Sequence, residues 1–163
     1  MLVVRRDEKT MSETNDRNMN EYVTAMIGGQ LFGLPIQGVQ DVFLPERLTR
    51  VPLAPAEIAG VLNLRGRVVT LIDMRRRLGL AERTDNAPPM AVGVDSRGES
   101  YGLLIDSVGE VQKLDEEMRE PNPINLDPRL ARVSAGIYRL DGQLLMVLDV
   151  DRVLDIGAAA IAA

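Results

Sequence analysis

Three aspartates, Asp73, Asp106 and Asp149, are the side chains of this 163-residue chain whose types and placement could build a reactive centre. If they converged they would hold Mg²⁺ for a small hydrolase or phosphotransfer enzyme, and Asp73 with Asp149 would make a carboxylate pair. Histidine and cysteine are both absent. That removes the commonest general base, the commonest metal ligand, any phospho-accepting imidazole and every thiolate. The acids also have a plainer reading. Asp73 precedes the helix-like run Met74 to Leu78, and Asp149 precedes Val150 to Leu154, so each carboxylate suits a helix cap that accepts backbone N–H groups. The two readings differ in whether the aspartates meet in space, and duplicated units usually keep equivalent positions apart. No catalytic residue, metal or cofactor is expected.

A modest basic cluster consists of Arg65, Arg67, Arg75, Arg76, Arg77 and Arg83. Within a net charge of −5, and with only Tyr22, Phe32, Phe43, Tyr101 and Tyr138 as aromatics, they make no nucleic-acid face. The same scarcity of rings leaves no stacking groove for a polyproline ligand. Arg75 to Arg77 follow a strand and are expected on a solvated helical turn.

These residues must be positioned by elements that occur twice. Gly29 to Val42 and Gly98 to Val111 share the pattern Gly, two variable residues, aromatic, Gly, Leu, any, Ile, two variable residues, Val, any, acid, Val. Gly60 to Leu78 and Gly136 to Leu154 form a second pair, with Leu64 matching Leu140, Gly66 matching Gly142 and Asp73 matching Asp149. Two copies predict two lobes rather than a solenoid. Within each copy the alternation and glycine punctuation predict hairpins. These are Tyr22–Ile27 with Leu31–Pro35, and Gly60–Leu64 with Arg67–Ile72. In the second copy they are Met90–Val94 with Ser100–Ile105, and Ala135–Leu140 with Gln143–Leu148. Val39–Leu44 and Val108–Leu114 extend or bend strands. Gly33 and Gly102 are expected to need glycine backbone geometry. Several short strands without a long amphipathic helix predict a mainly β fold of two small barrels packed together, with short helical turns.

Residues 1–20 are polar and aperiodic and are expected to form a flexible tail, while 157–163 form an alanine-rich one. Between them the first lobe is expected over about 21–85 and the second over about 86–156, with an exchange of strands or helix between lobes left open. The polar start and Ala158 to Ala163 suggest a complete, stand-alone chain rather than a piece of one carrying a receiver or kinase module. No apolar run of membrane-spanning length and no signal peptide is evident. With cysteine absent, a soluble protein of the reducing cytoplasm is expected.

From about Glu21 to Ile156 the chain resembles the CheW-type coupling proteins of bacterial chemotaxis. The resemblance rests on Phe32-Gly33-Leu34-Pro35-Ile36 with Val39-Gln40-Asp41-Val42; on Val51-Pro52-Leu53-Ala54-Pro55; and on Gly60-Val61-Leu62-Asn63-Leu64-Arg65-Gly66 with Arg67-Val68-Val69. Ile72-Asp73-Met74-Arg75, Gly102-Leu103-Leu104-Ile105-Asp106 and Asp141-Gly142 complete it. It implies two SH3-like barrels around a shared core, and a non-catalytic adaptor that joins the tips of methyl-accepting chemoreceptors to the histidine kinase CheA through that kinase's regulatory domain. It further implies rings with that domain or with other copies, cytoplasmic and beneath the inner membrane. Service in flagellar chemotaxis or in a parallel system such as surface motility stays open.

Carried over position by position, the receptor-facing groove involves Val39, Asp41, Gly60 and Arg65, with Ala91 beside them. Asp41 stands where many members carry glutamate, one methylene longer. Gly60 either touches a partner or shapes the groove, and Val39 is either contact or core. Kinase-facing positions at the barrel ends are Leu44, Glu46 and Arg47 in one lobe and Val133 in the other.

Overall fold

The structure, a computed structural model, describes residues 18–85 and 87–156. Most of both expected tails therefore lies outside the described residues. The first strand, β1 (Met19–Ile27), begins inside the stretch expected to be tail. It turns through Gly28-Gly29 into β2 (Gln30–Pro35), and a 3-10 turn at Ile36–Gly38 leads to β3 (Val39–Phe43). After an irregular connector come β4 (Ile58–Leu64), β5 (Arg67–Asp73) and the short α1 (Met74–Arg77). The second copy supplies β6 (Met90–Ser96), β7 (Glu99–Ile105) and β8 (Ser107–Asp115). A connector containing α2 (Pro128–Val133) then leads to β9 (Ser134–Leu140), β10 (Gln143–Leu148) and α3 (Val150–Leu154).

The strands form two five-stranded sheets, ordered β8-β1-β2-β10-β9 and β3-β6-β7-β5-β4. Neither sheet belongs to one copy. The hairpin β1–β2 sits between strands of the second copy, pairing in parallel with β10 (Phe32 opposite Met146) and antiparallel with β8. The equivalent hairpin β6–β7 sits between β3 and β5 of the first copy, with Leu71 opposite Gly102 across the parallel join. The chain thus passes between sheets at Ile36–Gly38 and again at Asp106, and the boundary between lobes is spatial rather than a cut near residue 85.

Each sheet curls until its edge strands share a small apolar interior. Tyr22, Tyr138, Leu145 and Val147 fill one barrel, with Leu114 of β8 and Leu140 of β9 closing it. Leu62, Val69, Leu71 and Ala91 fill the other, with Phe43 of β3 and Leu64 of β4. The four buried positions correspond pairwise across the repeat: Tyr22 with Ala91, Tyr138 with Leu62, Leu145 with Val69, Val147 with Leu71. The largest core lies between the barrels, where Phe32, Leu34, Ile72, Met74, Leu103 and Leu148 meet. Two barrels too small to be dependably stable alone thus share their largest apolar cluster.

Both expected caps form. The Asp73 carboxylate accepts from the Arg76 N–H at 3.2 Å, and Asp149 accepts from the Arg152 N–H at 3.2 Å. Gly33 and Gly102 are glycine for a different reason than expected. Neither has positive φ. A Cβ at Gly33 would meet Leu145 Cδ2 at 2.8 Å, and one at Gly102 would run into Leu71 Cδ2, so each is held to glycine by the side chain crossing it in the barrel interior.

Candidate functional site

The β4–β5 hairpin turns through Arg65-Gly66 with both residues at positive φ, +55° and +82°. Two positive values across a two-residue loop make the turn that best matches strand twist, and it favours asparagine or glycine at its first position. Here that position is arginine. The turn is secured locally, since the Gly66 N–H donates to Asn63 Oδ1 at 2.9 Å. That contact gives a physical purpose to the asparagine of the Asn63-Leu64-Arg65-Gly66 block. Arg65 stands exposed at the tip and makes no hydrogen bond or ion pair among the described residues.

Facing it across the open side of the second barrel is β3. Asp41 and Arg65 line one cavity of about 220 Å³ together with Phe43, Arg67 and Asp95. Asp41 lies against the backbone of Gly93, where a Cβ would collide with its carboxylate. No ion pair joins Asp41 to Arg65. Arg67 is engaged instead, with Ser100 at 2.5 Å and Asp95 at 3.7 Å. On the far side of Phe43 and Leu64 opens a wider groove of about 660 Å³, lined by Leu44, Glu46, Arg47, Val61 and Val68. The interior of this barrel carries Ala91 and Leu62 where its twin carries two tyrosines. In the twin the Tyr22 and Tyr138 hydroxyls are 3.2 Å apart and their rings 5.6 Å apart, filling the interior. Burial, and then the Tyr22 hydroxyl, push the Tyr138 phenol above its ordinary titration range.

The structure brings Asp41 and Arg65 to one cavity and separates the other expected positions from them. Val39 is half-buried and packs on the inter-barrel core. Gly60 is buried, at φ +154°, and a Cβ there would sit 2.5 Å from the Thr49 carbonyl. It lets the connector pass over β4 and shapes the site from below. Ala91 is 0% exposed, inside the barrel, so its side chain is no part of a docking face. Val133 is likewise 0% exposed, because α2 turns its last residue into the main core. Leu44, Glu46 and Arg47 are exposed on one connector and share the wider groove.

The acids do not assemble a centre. Among the described residues no group of three or more potential ligands could hold a metal ion. Asp73 and Asp149 serve their separate caps. Asp106 accepts from Arg75 Nε at 3.0 Å and Nη2 at 2.6 Å, and from the Gly28 N–H at 2.9 Å. The Arg75 hydrogen bonds hold its carboxyl below the ordinary carboxylate range, burial opposes them, and the Gly28 N–H adds to them. The run Arg75–Arg77 does lie on a helical turn, and Arg76 is exposed on it as expected, but Arg75 and Arg77 are half-buried and engaged. Arg75 is committed to Asp106 and to the Ala81 carbonyl, Arg76 to Glu82 at 2.8 Å, and Arg77 to the Arg152 and Val153 carbonyls, each at 3.0 Å.

The described residues form a double-barrelled body in which no three potential ligands gather, and the comparisons with known proteins show its family. A probable chemotaxis protein CheW of Rhizobium etli is 29% identical over 134 residues, covering 80% of this chain and 84% of the relative. The chemotaxis protein CheW of Helicobacter pylori is 26% identical, covering 87% and 86%. The crystal structure of the scaffolding protein TtCheW from Thermoanaerobacter tengcongensis superposes with a TM-score of 0.76 at 27% identity, covering 85% of this chain and 89% of that one. The CheW-like domain profile matches residues 21–157, so the repeat, the twin barrels and the Asn-Leu-Arg-Gly turn place this chain in the CheW-like domain family.

Proposed function

We propose that the chain is a non-catalytic coupling adaptor of bacterial chemotaxis, joining the cytoplasmic tips of chemoreceptors to the histidine kinase CheA within arrays beneath the inner membrane. The observation that carries the receptor side is Arg65: its backbone is at positive φ, and its guanidinium is exposed, without a hydrogen bond or ion pair among the described residues, at the rim of a cavity that also presents Asp41. A planar cation of this kind reads a carboxylate or carbonyl on a helical tip through paired N–H donors. Asp41 offers the opposite charge a short distance away, Val39 adds half-buried apolar surface, and Gly60 supports the rim. The kinase side is assigned to the wider groove with Leu44, Glu46 and Arg47, on the other flank of Phe43. Adjacent faces on one barrel let receptor movement reach the kinase through a single packed body. Among the described residues no helix is long and apolar enough to cross a membrane, which fits a partner that meets membranes only through receptors.

Replacing Arg65 with aspartate tests the assignment. Co-sedimentation with receptor-containing membranes should drop by about tenfold in affinity, while thermal unfolding stays nearly unchanged because Arg65 makes no hydrogen bond or ion pair among the described residues. Full co-sedimentation of the variant would remove Arg65 from the receptor site.

A further inference from the structure

Val51, Pro52, Leu53 and Ala54 form a tight turn, closed by the Ala54 N–H donating to the Val51 carbonyl at 3.4 Å. Proline leads, and Leu53 follows at φ +65°. This is the type II arrangement, whose third position requires positive φ and so favours glycine or asparagine. Leucine is a poor occupant, because its Cβ crowds the following carbonyl in the left-handed region. Its side chain gains nothing in return, being 104% exposed. Strain and full apolar exposure coincide in one residue, and strain of this kind concentrates where a backbone is shaped for recognition.

The surroundings indicate what is recognised. Glu46 to Leu53 is exposed without interruption, with Leu48 and Val51 also presenting apolar surface. Arg47 and Arg50 make no hydrogen bond or ion pair among the described residues, although the chain as a whole is acidic. The connector is nevertheless anchored: Thr49 and Val61 exchange backbone hydrogen bonds at 2.8 Å each, and the Ile58 N–H donates to the Pro55 carbonyl at 3.0 Å. Leu53 is thus carried on a fixed base that continues directly from the groove of Leu44, Glu46 and Arg47.

We propose that Leu53 is an anchor residue that enters an apolar pocket rimmed by carboxylates on the regulatory domain of the kinase, with Arg47 and Arg50 facing the rim. The assignment rests on the adaptor reading above. Ile124 supplies the contrast. It is equally exposed and sits in the other connector, but at ordinary φ, so exposure alone does not distinguish Leu53.

The test is to measure binding of the purified regulatory domain of the cognate CheA, co-sedimentation with receptor membranes, and thermal unfolding for the wild-type chain, Leu53→Asn and Ile124→Asn. Leu53→Asn should weaken kinase-domain binding by about tenfold, leave receptor co-sedimentation intact, and raise Tm by about 2–4 °C as strain is relieved. Ile124→Asn should change none of the three. Undiminished kinase-domain binding by Leu53→Asn, a fall in its Tm, or loss of receptor binding instead would overturn the proposal while leaving the adaptor reading standing. A wild-type chain that binds neither partner would overturn both.

Discussion

At the scale of single residues, the most consequential side chain outside the docking faces is Asp106, at the point where the chain leaves one sheet for the other. Its carboxylate ties α1 through Arg75 to the β1–β2 turn through Gly28, with side-chain exposures of only 20% and 17% for the Arg75–Asp106 pair. Removing one partner of such a pair leaves the other desolvated and unsatisfied, so Asp106→Asn should lower stability by about 1–3 kcal/mol in urea denaturation. The pH dependence has a definite sign. Because the folded-state pKa is depressed, the contribution is complete above the unfolded carboxylate value of about 4 and disappears as pH falls through the lower, folded value. The wild-type chain should therefore lose stability on that acid limb more steeply than Asp106→Asn, and equal slopes would show that the pair is not coupled to folding.

At the scale of elements, the connectors rather than the strands distinguish the two ends of the molecule, and two glycines hold them in place. Gly60 and Gly136 are repeat equivalents at φ +154° and +132°, each at a register shift in its strand. Each lets a connector carbonyl approach, Thr49 at 2.5 Å and Glu120 at 2.9 Å from where a Cβ would stand. The residue that follows each glycine, Val61 or Ile137, then pairs with that connector. Gly60→Val meets immovable backbone and should cost about 3 kcal/mol or more. Gly33→Val meets the flexible end of Leu145 and should cost about 1–2 kcal/mol. Urea midpoints of the two variants check the order; if Gly33→Val proves the more damaging, the connector contact is not what makes Gly60 necessary.

At the scale of the whole molecule, the duplication has become an exchange. Each barrel contains a hairpin from the other copy, so each half by itself is left with separate two-stranded hairpins and an unpaired strand, and an isolated hairpin is marginal in water. Fragments 1–85 and 86–163 should each give collapsed amide dispersion in NMR spectra when produced alone, and should recover the cooperative unfolding of the intact chain when combined. A fragment that folds alone would show that one barrel does not require its exchanged hairpin. The interleaving also suits an adaptor: β3 and β5, which bear the proposed docking face, are hydrogen-bonded to β6 and β7 of the other copy, so the proposed transmission would run through paired backbone and a common core.

Local chemistry determined what was legible in the sequence. The hairpins, the caps at Asp73 and Asp149, the twin architecture and the exposed Arg65 turn follow from glycine spacing, alternation and capping residues, all of which act over a few neighbours. The pairing of β2 with β10 and of β5 with β7 joins segments more than a hundred or about thirty residues apart, and nothing local encodes it. The same is true of burial. Ala91 in a predicted strand and Val133 at an expected barrel end look available, and only packing turns them inward; Arg75 looks solvated until the crossover brings Asp106 to it. The contrast between the barrel interiors has the same origin, since Ala91 and Leu62 stand where Tyr22 and Tyr138 meet only after the sheets curl. Patterns along the chain therefore decided which elements form, and tertiary contact decided which side chains remain free to meet a partner.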